Sequence, residues 1–221
     1  MRFILVRHPE TVALQQNLIY GRTHSDLSEH GISTMEWVAD MLEKENPLAI
    51  YSSPQKRALV LAEAIASRHP GLEIATDERI MEMACGIYEQ MTFEEALESD
   101  PEGARAFLER FGEYRPEGGE NFEDVKRRSA PFIKDIIARG LEEDCEDRPI
   151  IVVSHAMTIR SMLSNIFGIE LAKMWNLRIS PSCIINISYD PEFEFAMLSG
   201  LCHPENQKDR NLRSFLRNRR K

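Results

Sequence analysis

The sequence of 221 residues contains only four cysteines and no long apolar run. No two cysteines form a C-x-x-C pair, so their spacing predicts neither a disulfide framework nor a zinc ribbon. We therefore expect a reducing, cytoplasmic setting. The apolar residues 3–6 are too few for the core of a signal peptide, and no stretch approaches the roughly 18 apolar residues that cross a bilayer. Export and membrane insertion are accordingly not expected.

Spacings typical of metal ligands are also missing. The six histidines form no H-x-H or H-E-x-x-H pattern, so we predict no metal and no other cofactor. The chain has no internal repeat and no long linker rich in Pro, Gly or Ser. We predict one domain over residues 1–203, followed by a basic tail at residues 204–221.

Positive charge is scarce outside that tail. The chain has 27 basic and 36 acidic residues, which gives a formal net charge of −9. Seven of the basic residues lie between residues 207 and 221, where Asp209 is the one acid. The remaining body is therefore strongly acidic, which disfavours nucleic acid as a partner. For the tail we favour a solvated end over contact with an anionic partner.

Apolar segments alternate with amphipathic helical segments along the chain. Strands are predicted at residues 2–6, 48–52, 149–153, 182–189 and 193–198. Helices are predicted at residues 28–45, 54–68, 121–139 and 157–167, with two short ones starting at Thr92 and Asp100. This pattern predicts an α/β fold, a three-layer α/β/α sandwich with a mostly parallel central sheet. Ligands bind such folds beyond the carboxyl ends of the strands.

Three of the predicted strands end in residues suited to anion binding. Arg7 and His8 follow the first strand, Arg57 comes shortly after the second, and Ser154 and His155 follow the third. Parallel strands place their carboxyl ends at one edge of a sheet, so we expect these side chains to converge. Guanidinium binds phosphate oxygens bidentately, and imidazole donates a proton or acts as a nucleophile. Phosphate is the predicted ligand.

The same residues carry a resemblance to a known family. The L-V-R-H-P-E-T segment at residues 5–11 resembles the L-V-R-H-G-E-T signature of the histidine phosphatase superfamily, the phosphoglycerate mutase-like group. The similarity continues in order through the following positions: Asn17, Gly21-Arg22, residues 26–28 with Gly31, residues 52–58, Glu82 with Gly86, Gly119-Glu120 and residues 153–160. It implies a phosphoglycerate mutase-like fold over nearly the whole chain.

The resemblance also implies the roles of individual residues. It makes His8 the nucleophile that takes up the phosphoryl group and Glu82 the general acid, with His155 as a further catalytic residue. It implies that phosphate is bound by Arg7, Arg57, Asn17 and His155. Stabilisation of charge on the transferring oxygens leads us to expect that His155 is protonated. The residues alone leave two of these roles open, because Asp77 and Glu78 lie close to Glu82 and Asn17 is equally suited to a turn.

Pro9 is the main departure from the family pattern, because it occupies the position usually held by Gly. Proline removes a backbone N–H and biases His8 towards extended geometry, which a strand end already has. We expect the nucleophile to be retained and any contact through that N–H to be lost. Ala156 for Gly and Asn121 for Ser are milder changes.

The segment at residues 84–120 is predicted to be an inserted helical lid with ten acidic and three basic residues. A mutase needs extra cationic groups to hold a doubly phosphorylated intermediate. We therefore predict a metal-independent phosphatase acting on a small phosphorylated substrate. The alternatives are a cofactor-dependent phosphoglycerate mutase and a catalytically silent phosphate-binding or scaffold protein. The sequence names neither the substrate nor the oligomeric state, so a homo-oligomer stays open.

Overall fold

The computed structural model describes residues 1–110, 113–142 and 148–204. Its six-stranded sheet consists of β1 (Arg2–Arg7), β2 (Ala49–Ser52), β3 (Ile74–Thr76), β4 (Ile150–Ser154), β5 (Ile184–Asp190) and β6 (Phe195–Cys202). The strand order is β3-β2-β4-β1-β5-β6. The first four strands of this order are parallel, whereas β5 pairs antiparallel with β1 and β6 pairs antiparallel with β5. The predicted, mostly parallel central sheet is confirmed.

Helices cover both faces of this sheet. The α-helices of the described residues are α1 (Val12–Gln15), α2 (Glu29–Leu42), α3 (Lys56–Ala66), α4 (Phe93–Ser99), α5 (Pro101–Glu109), α6 (Phe122–Glu142), α7 (Ala156–Phe167) and α8 (Leu171–Met174). Alternate residues of β1 point to opposite faces. Phe3 and Leu5 belong to a core cluster with Phe132 of α6, and Ile4 and Val6 belong to another with residues of α2 and α3. This arrangement is the predicted three-layer sandwich.

The two edge strands of the sheet, β3 and β6, differ from the sequence prediction. The three-residue strand β3 was not predicted, because it is too short to show a period of two. The last strand begins at Phe195 rather than at residue 193. A turn occupies the intervening residues, where Asp190 Oδ1 accepts the N–H groups of Glu192 and Phe193 and Glu194 has a φ of 48°.

The segment at residues 84–120 contains α4 and α5, which supports its predicted helical character. Thr92 and Glu95 form a complete capping box at α4, and Asp100 caps α5 through the N–H of Gly103. Its role as a lid stays a prediction. Residues 111–112 of this segment and residues 205–221 of the predicted tail lie outside the described residues. None of the helices in the described part of the chain has the length and apolar character needed to cross a membrane.

Candidate active site

The parallel pairing of β1 with β4 brings two histidines together. Arg7 lies opposite Ser154 in the register, and the N–H of His8 donates to Ser154 O at 2.9 Å. Each histidine directly follows one of these paired residues, and the ring centroids of His8 and His155 are 5.1 Å apart. Both side chains are buried, with exposed fractions of 1% and 0%. The expected convergence at the strand ends is therefore present.

His8 is held as a neutral imidazole with a defined tautomer. Its Nδ1 lies 2.7 Å from Pro9 O, and a carbonyl oxygen only accepts, so Nδ1 carries the proton. Burial, followed by the positive charges of Arg57 and Arg7, lowers the pKa of His8 well below 6.5. Nε2 consequently keeps its lone pair at neutral pH. Pro9 lacks an N–H, but its carbonyl group still orients the ring.

Two arginines supply the positive charge of the site. Arg7 Nη1 donates to Ile179 O at 2.7 Å. Arg57, which comes from the first turn of α3, donates to Gly21 O at 2.6 Å and to Thr23 O at 3.1 Å. The Nε atoms of both arginines are buried without a hydrogen-bond partner among the described residues. Buried polar groups normally have partners, so these N–H groups are suited to an anionic ligand.

His155 contacts Ser53, which follows β2 in the family-like run at residues 52–58 and had no assigned role in the site. His155 Nε2 lies 2.8 Å from Ser53 Oγ, and that oxygen also accepts the N–H of Gln55 at 3.3 Å. The hydroxyl proton of Ser53 is thus available for Nε2, which favours a proton on Nδ1 of His155. Nδ1 is buried and has no partner among the described residues.

The pKa of His155 is lowered well below 6.5 by burial and by the positive charges of Arg57 and Arg7. The protonated form expected from the sequence is therefore not the resting form. A phosphate dianion beside the ring would offset the two guanidinium charges and favour protonation.

Glu82 lies against the N-terminus of α7, directly beyond His155. Its carboxylate accepts the N–H groups of Met157 at 3.3 Å and Thr158 at 3.2 Å. Only 8% of the residue is exposed. The two nearby acids that the sequence left open are placed differently, since Asp77 forms an ion pair with Arg79 at 2.6 Å and Glu78 is exposed.

Asn17 is exposed at the end of α1 and adopts a φ of 58°. Asparagine tolerates this left-handed conformation better than most residues, which supports the turn interpretation. Its contact with phosphate stays a prediction.

A family model described as the histidine phosphatase superfamily, branch 1, matches residues 3–198. The chain belongs to this superfamily. It is 32% identical over 176 residues to phosphoserine phosphatase 1 of Hydrogenobacter thermophilus, covering 80% of this chain and 81% of the relative. The predicted family is confirmed. The prediction of a phosphatase is also confirmed, as membership of a superfamily of phosphatases.

Solved structures show the same similarity. A mycobacterial glucosyl-3-phosphoglycerate phosphatase superposes with a TM-score of 0.80 at 27% identity, covering 90% of this chain and 97% of that one. The alpha-ribazole phosphatase of Shigella flexneri gives a TM-score of 0.80 at 25% identity, covering 91% and 96%. The predicted phosphoglycerate mutase-like α/β fold is confirmed.

Glu89 is a half-buried residue that binds several main-chain groups near the site and was not predicted from the sequence. Its carboxylate accepts hydrogen bonds from four residues: Gly21, Arg22, Thr23 and Cys85. Burial raises the pKa of Glu89, but these donors outweigh burial and hold the pKa below its usual value. Glu89 thereby connects two main-chain segments, namely the loop that accepts hydrogen bonds from Arg57 and the segment that follows Glu82. One glutamate among ten acids in residues 84–120 carries no sequence signal for this role.

Arg128 of α6 supports the same segment from the other side. Its guanidinium donates to Arg79 O at 2.7 Å, to Glu82 O at 3.2 Å and to Glu120 Oε1 at 2.8 Å. The main chain on which Glu82 lies is therefore bound on both sides. Sequence reasoning missed Arg128, because a basic residue on an amphipathic helix most often faces solvent.

Proposed function

We propose that this chain hydrolyses a small phosphomonoester through a phosphohistidine on His8. The neutral, buried imidazole of His8 is the observation that carries the proposal, because Pro9 O holds its Nδ1 proton and leaves Nε2 nucleophilic. The charges of Arg57 and Arg7 act on the same ring, and His155 lies beside it. These groups are suited to stabilising a transferring phosphoryl group.

In the first step, the lone pair on His8 Nε2 attacks phosphorus while the ester P–O bond breaks. Glu82, in its protonated form, gives its proton to the leaving oxygen, so the alcohol departs neutral. Arg7, Arg57 and the Nδ1–H of His155 stabilise the charge on the remaining phosphoryl oxygens.

In the second step, water attacks the phosphorus of phosphohistidine. The P–N bond breaks and its electron pair returns to Nε2 of His8. Glu82, now ionised, takes a proton from the attacking water. The products are inorganic phosphate and the original neutral imidazole, so the cycle needs no redox partner.

The charge of the predicted lid supports hydrolysis over phosphoryl transfer between two substrate positions. Its ten acids and three bases would repel a doubly phosphorylated intermediate. The relatives described above are named as phosphatases, with phosphoserine, glucosyl-3-phosphoglycerate and alpha-ribazole in their names. For this chain, these compounds mark the range of substrates to test. The buried free thiols of Cys85 and Cys183 support the proposed cytoplasmic setting.

Hydrolysis of p-nitrophenyl phosphate by the purified chain tests the proposal. We expect turnover by the wild type and its loss in His8→Ala. His24→Ala is the matched control, because His24 is exposed and pairs with Asp26 at the surface. Full activity of His8→Ala would contradict the proposal.

Two other outcomes would favour the alternatives. A wild type that is silent across a broad panel of phosphoesters, but still binds phosphate, would support the binding protein. Conversion of 3-phosphoglycerate to the 2-isomer with a bisphosphoglycerate primer, faster than its hydrolysis, would support the mutase.

A further inference from the structure

A cavity of about 180 Å³ opens beside Glu82. Its apolar wall is formed by Leu18, Ile19, Met83, Cys85, Phe107 and Met157. Its volume exceeds the roughly 150 Å³ of an engineered apolar cavity that binds benzene. The cavity therefore has room for a group of the size of a phenyl ring.

Two residues connect this cavity with the phosphate site. Tyr20 lines the cavity, its ring is edge-on to His8 at 6.5 Å, and the guanidinium of Arg57 lies 4.8 Å from the ring centroid. Glu82 lines the cavity as well. Because Glu82 is the proposed donor to the leaving oxygen, the alcohol part of the substrate must lie on its side of the site. The cavity is thus positioned for the leaving group.

The charge of the wall limits which leaving groups fit. Among the described residues that line the cavity, none is basic and Glu82 is the one acid. The nearby arginines Arg22 and Arg128 are both engaged by Glu120, at 3.2 and 2.8 Å. A substrate carboxylate or a second phosphate would therefore lose its hydration without gaining a counter-charge, which is unfavourable.

We propose that this enzyme prefers phosphomonoesters whose alcohol part carries an apolar or aromatic group. Small alcohols that carry a carboxylate, such as those of phosphoserine and 3-phosphoglycerate, would be poor substrates. This inference rests on the proposed function and adds the substrate class to it. Phe107 and Met157 form the contact surface for the apolar group, and Glu82 lies at its inner end, where the ester oxygen leaves.

A series of primary phosphate esters tests the preference on the wild-type protein. Ethyl, butyl and hexyl phosphate, benzyl phosphate, phosphoserine and 3-phosphoglycerate provide the comparison. All six esters release primary alcohols, so each leaving oxygen needs a similar degree of proton donation from Glu82. We expect kcat/KM to rise about fourfold for each added methylene until the cavity is filled. Benzyl phosphate should exceed phosphoserine by at least tenfold.

A charged substitution in the wall provides an independent test. Leu18→Lys should lower kcat/KM for benzyl phosphate and raise it for phosphoserine, so the ratio of the two falls at least tenfold. Leu72→Lys is the matched control, because Leu72 is similarly half-buried but packs against the α2–α3 side of the sheet. We expect the control to leave the ratio unchanged.

The outcomes separate this inference from the proposed function. If the wild type hydrolyses phosphoserine or 3-phosphoglycerate as well as benzyl phosphate, the preference is wrong while the His8 chemistry stands. If no ester is hydrolysed, the proposed function itself fails, and the substrate class fails with it. The wild-type series decides the question even where Leu18→Lys does not fold.

Discussion

Burial decides the chemistry of the two central histidines. An exposed imidazole is partly protonated near pH 6.5, whereas His8 and His155 are buried beside positive charges that lower their pKa. For His8 the result is a neutral ring, and the Pro9 carbonyl selects the tautomer with a nucleophilic Nε2. At the residue scale, the proposed attack of His8 Nε2 on phosphorus therefore needs no separate general base.

The proposed role of Glu82 as the general acid predicts that the effect of its substitution depends on the leaving group. Glu82→Gln keeps a carbonyl oxygen that accepts from the α7 amides but loses the transferable proton. Hydrolysis of alkyl phosphates should slow by about 10²–10⁴-fold. Hydrolysis of p-nitrophenyl phosphate should slow less, because p-nitrophenolate needs little protonation to leave. Equal slowing of both substrates, measured as kcat, would remove Glu82 from the general-acid role.

The contact between Ser53 and His155 predicts a positioning effect. Ser53→Ala removes the hydroxyl that lies 2.8 Å from Nε2 and leaves that buried nitrogen unpaired. We expect kcat to fall about tenfold, the equivalent of one hydrogen bond of about 1.4 kcal/mol. Ser53→Thr keeps the hydroxyl and should restore most of the activity. A kcat for Ser53→Ala equal to that of the wild type would show that the contact has no part in turnover.

Individual residues were predictable where a motif marks them. The run from Arg7 to Thr11 and the Ser154-His155 pair follow apolar strands, and parallel pairing makes their convergence a geometric consequence. Glu89 and Arg128 were not predictable. Their roles depend on main-chain groups of distant loops, and a sequence does not show which carbonyl or amide a charged side chain reaches.

At the scale of elements, the N-terminus of α7 organises one side of the site. His155 is the residue before the first turn of this helix, and the free N–H groups of that turn bind the Glu82 carboxylate. One strand-to-helix connection therefore places the second imidazole and the proposed acid together. The loop at Gly21–Thr23, which Glu89 holds, provides the matching support for Arg57.

The close approach of Gly21 to the segment after Glu82 yields a prediction for that loop. A Cβ at Gly21 would lie 1.8 Å from Met83 O, a main-chain atom that cannot move alone. Gly21→Ala should lower the free energy of unfolding by about 1–3 kcal/mol. It should also lower kcat, because Gly21 O is an acceptor for Arg57.

Gly200→Ala in β6 is the control for this substitution. The nearest atom to its Cβ would be in the Asn186 side chain at 3.5 Å, which is an ordinary contact. Urea unfolding and p-nitrophenyl phosphate turnover measure both effects. Wild-type stability and wild-type turnover in Gly21→Ala would contradict the proposed support.

Helices and strands were predictable from the sequence where they are long enough to show a clear pattern. The capping signals at Thr92 and Asp100 correctly located α4 and α5, because each cap places a side-chain oxygen at a fixed distance from the first turn. β3 has three residues and α1 has four, and both are too short to show a periodic pattern of apolar residues. Both elements are held by their neighbours, as in the pairing of β3 with β2.

For the whole molecule, the two buried histidines link stability to pH. Their pKa values are lowered in the folded protein, so the unfolded chain takes up protons below about pH 6.5 that the folded protein does not. Above about pH 6.5 both histidines are neutral in the folded and the unfolded chain, and the free energy of unfolding has its full value. As the pH falls towards the folded pKa values, proton uptake by the unfolded chain lowers that free energy. Each histidine should reduce the free energy of unfolding by up to about 1.4 kcal/mol per pH unit in that window.

Urea unfolding between pH 7.5 and 5.5 measures this effect, above the range in which most carboxyl groups titrate. The double variant with His8→Gln and His155→Gln lacks both imidazoles and should show a flatter dependence on pH. His24→Ala is again the surface control. Identical slopes for the wild type and the double variant would mean that these histidines are not held neutral by the fold.

The most direct test of the proposed chemistry is detection of the phosphoryl group on His8. The wild type is mixed with p-nitrophenyl phosphate, quenched with alkali during turnover and digested for tandem mass spectrometry, because phosphohistidine survives base better than acid. We predict a phosphorylated peptide with the modification on His8, absent from His8→Ala. Turnover with the phosphoryl group on another residue, or with no covalent adduct while His8→Ala stays active, would contradict the account.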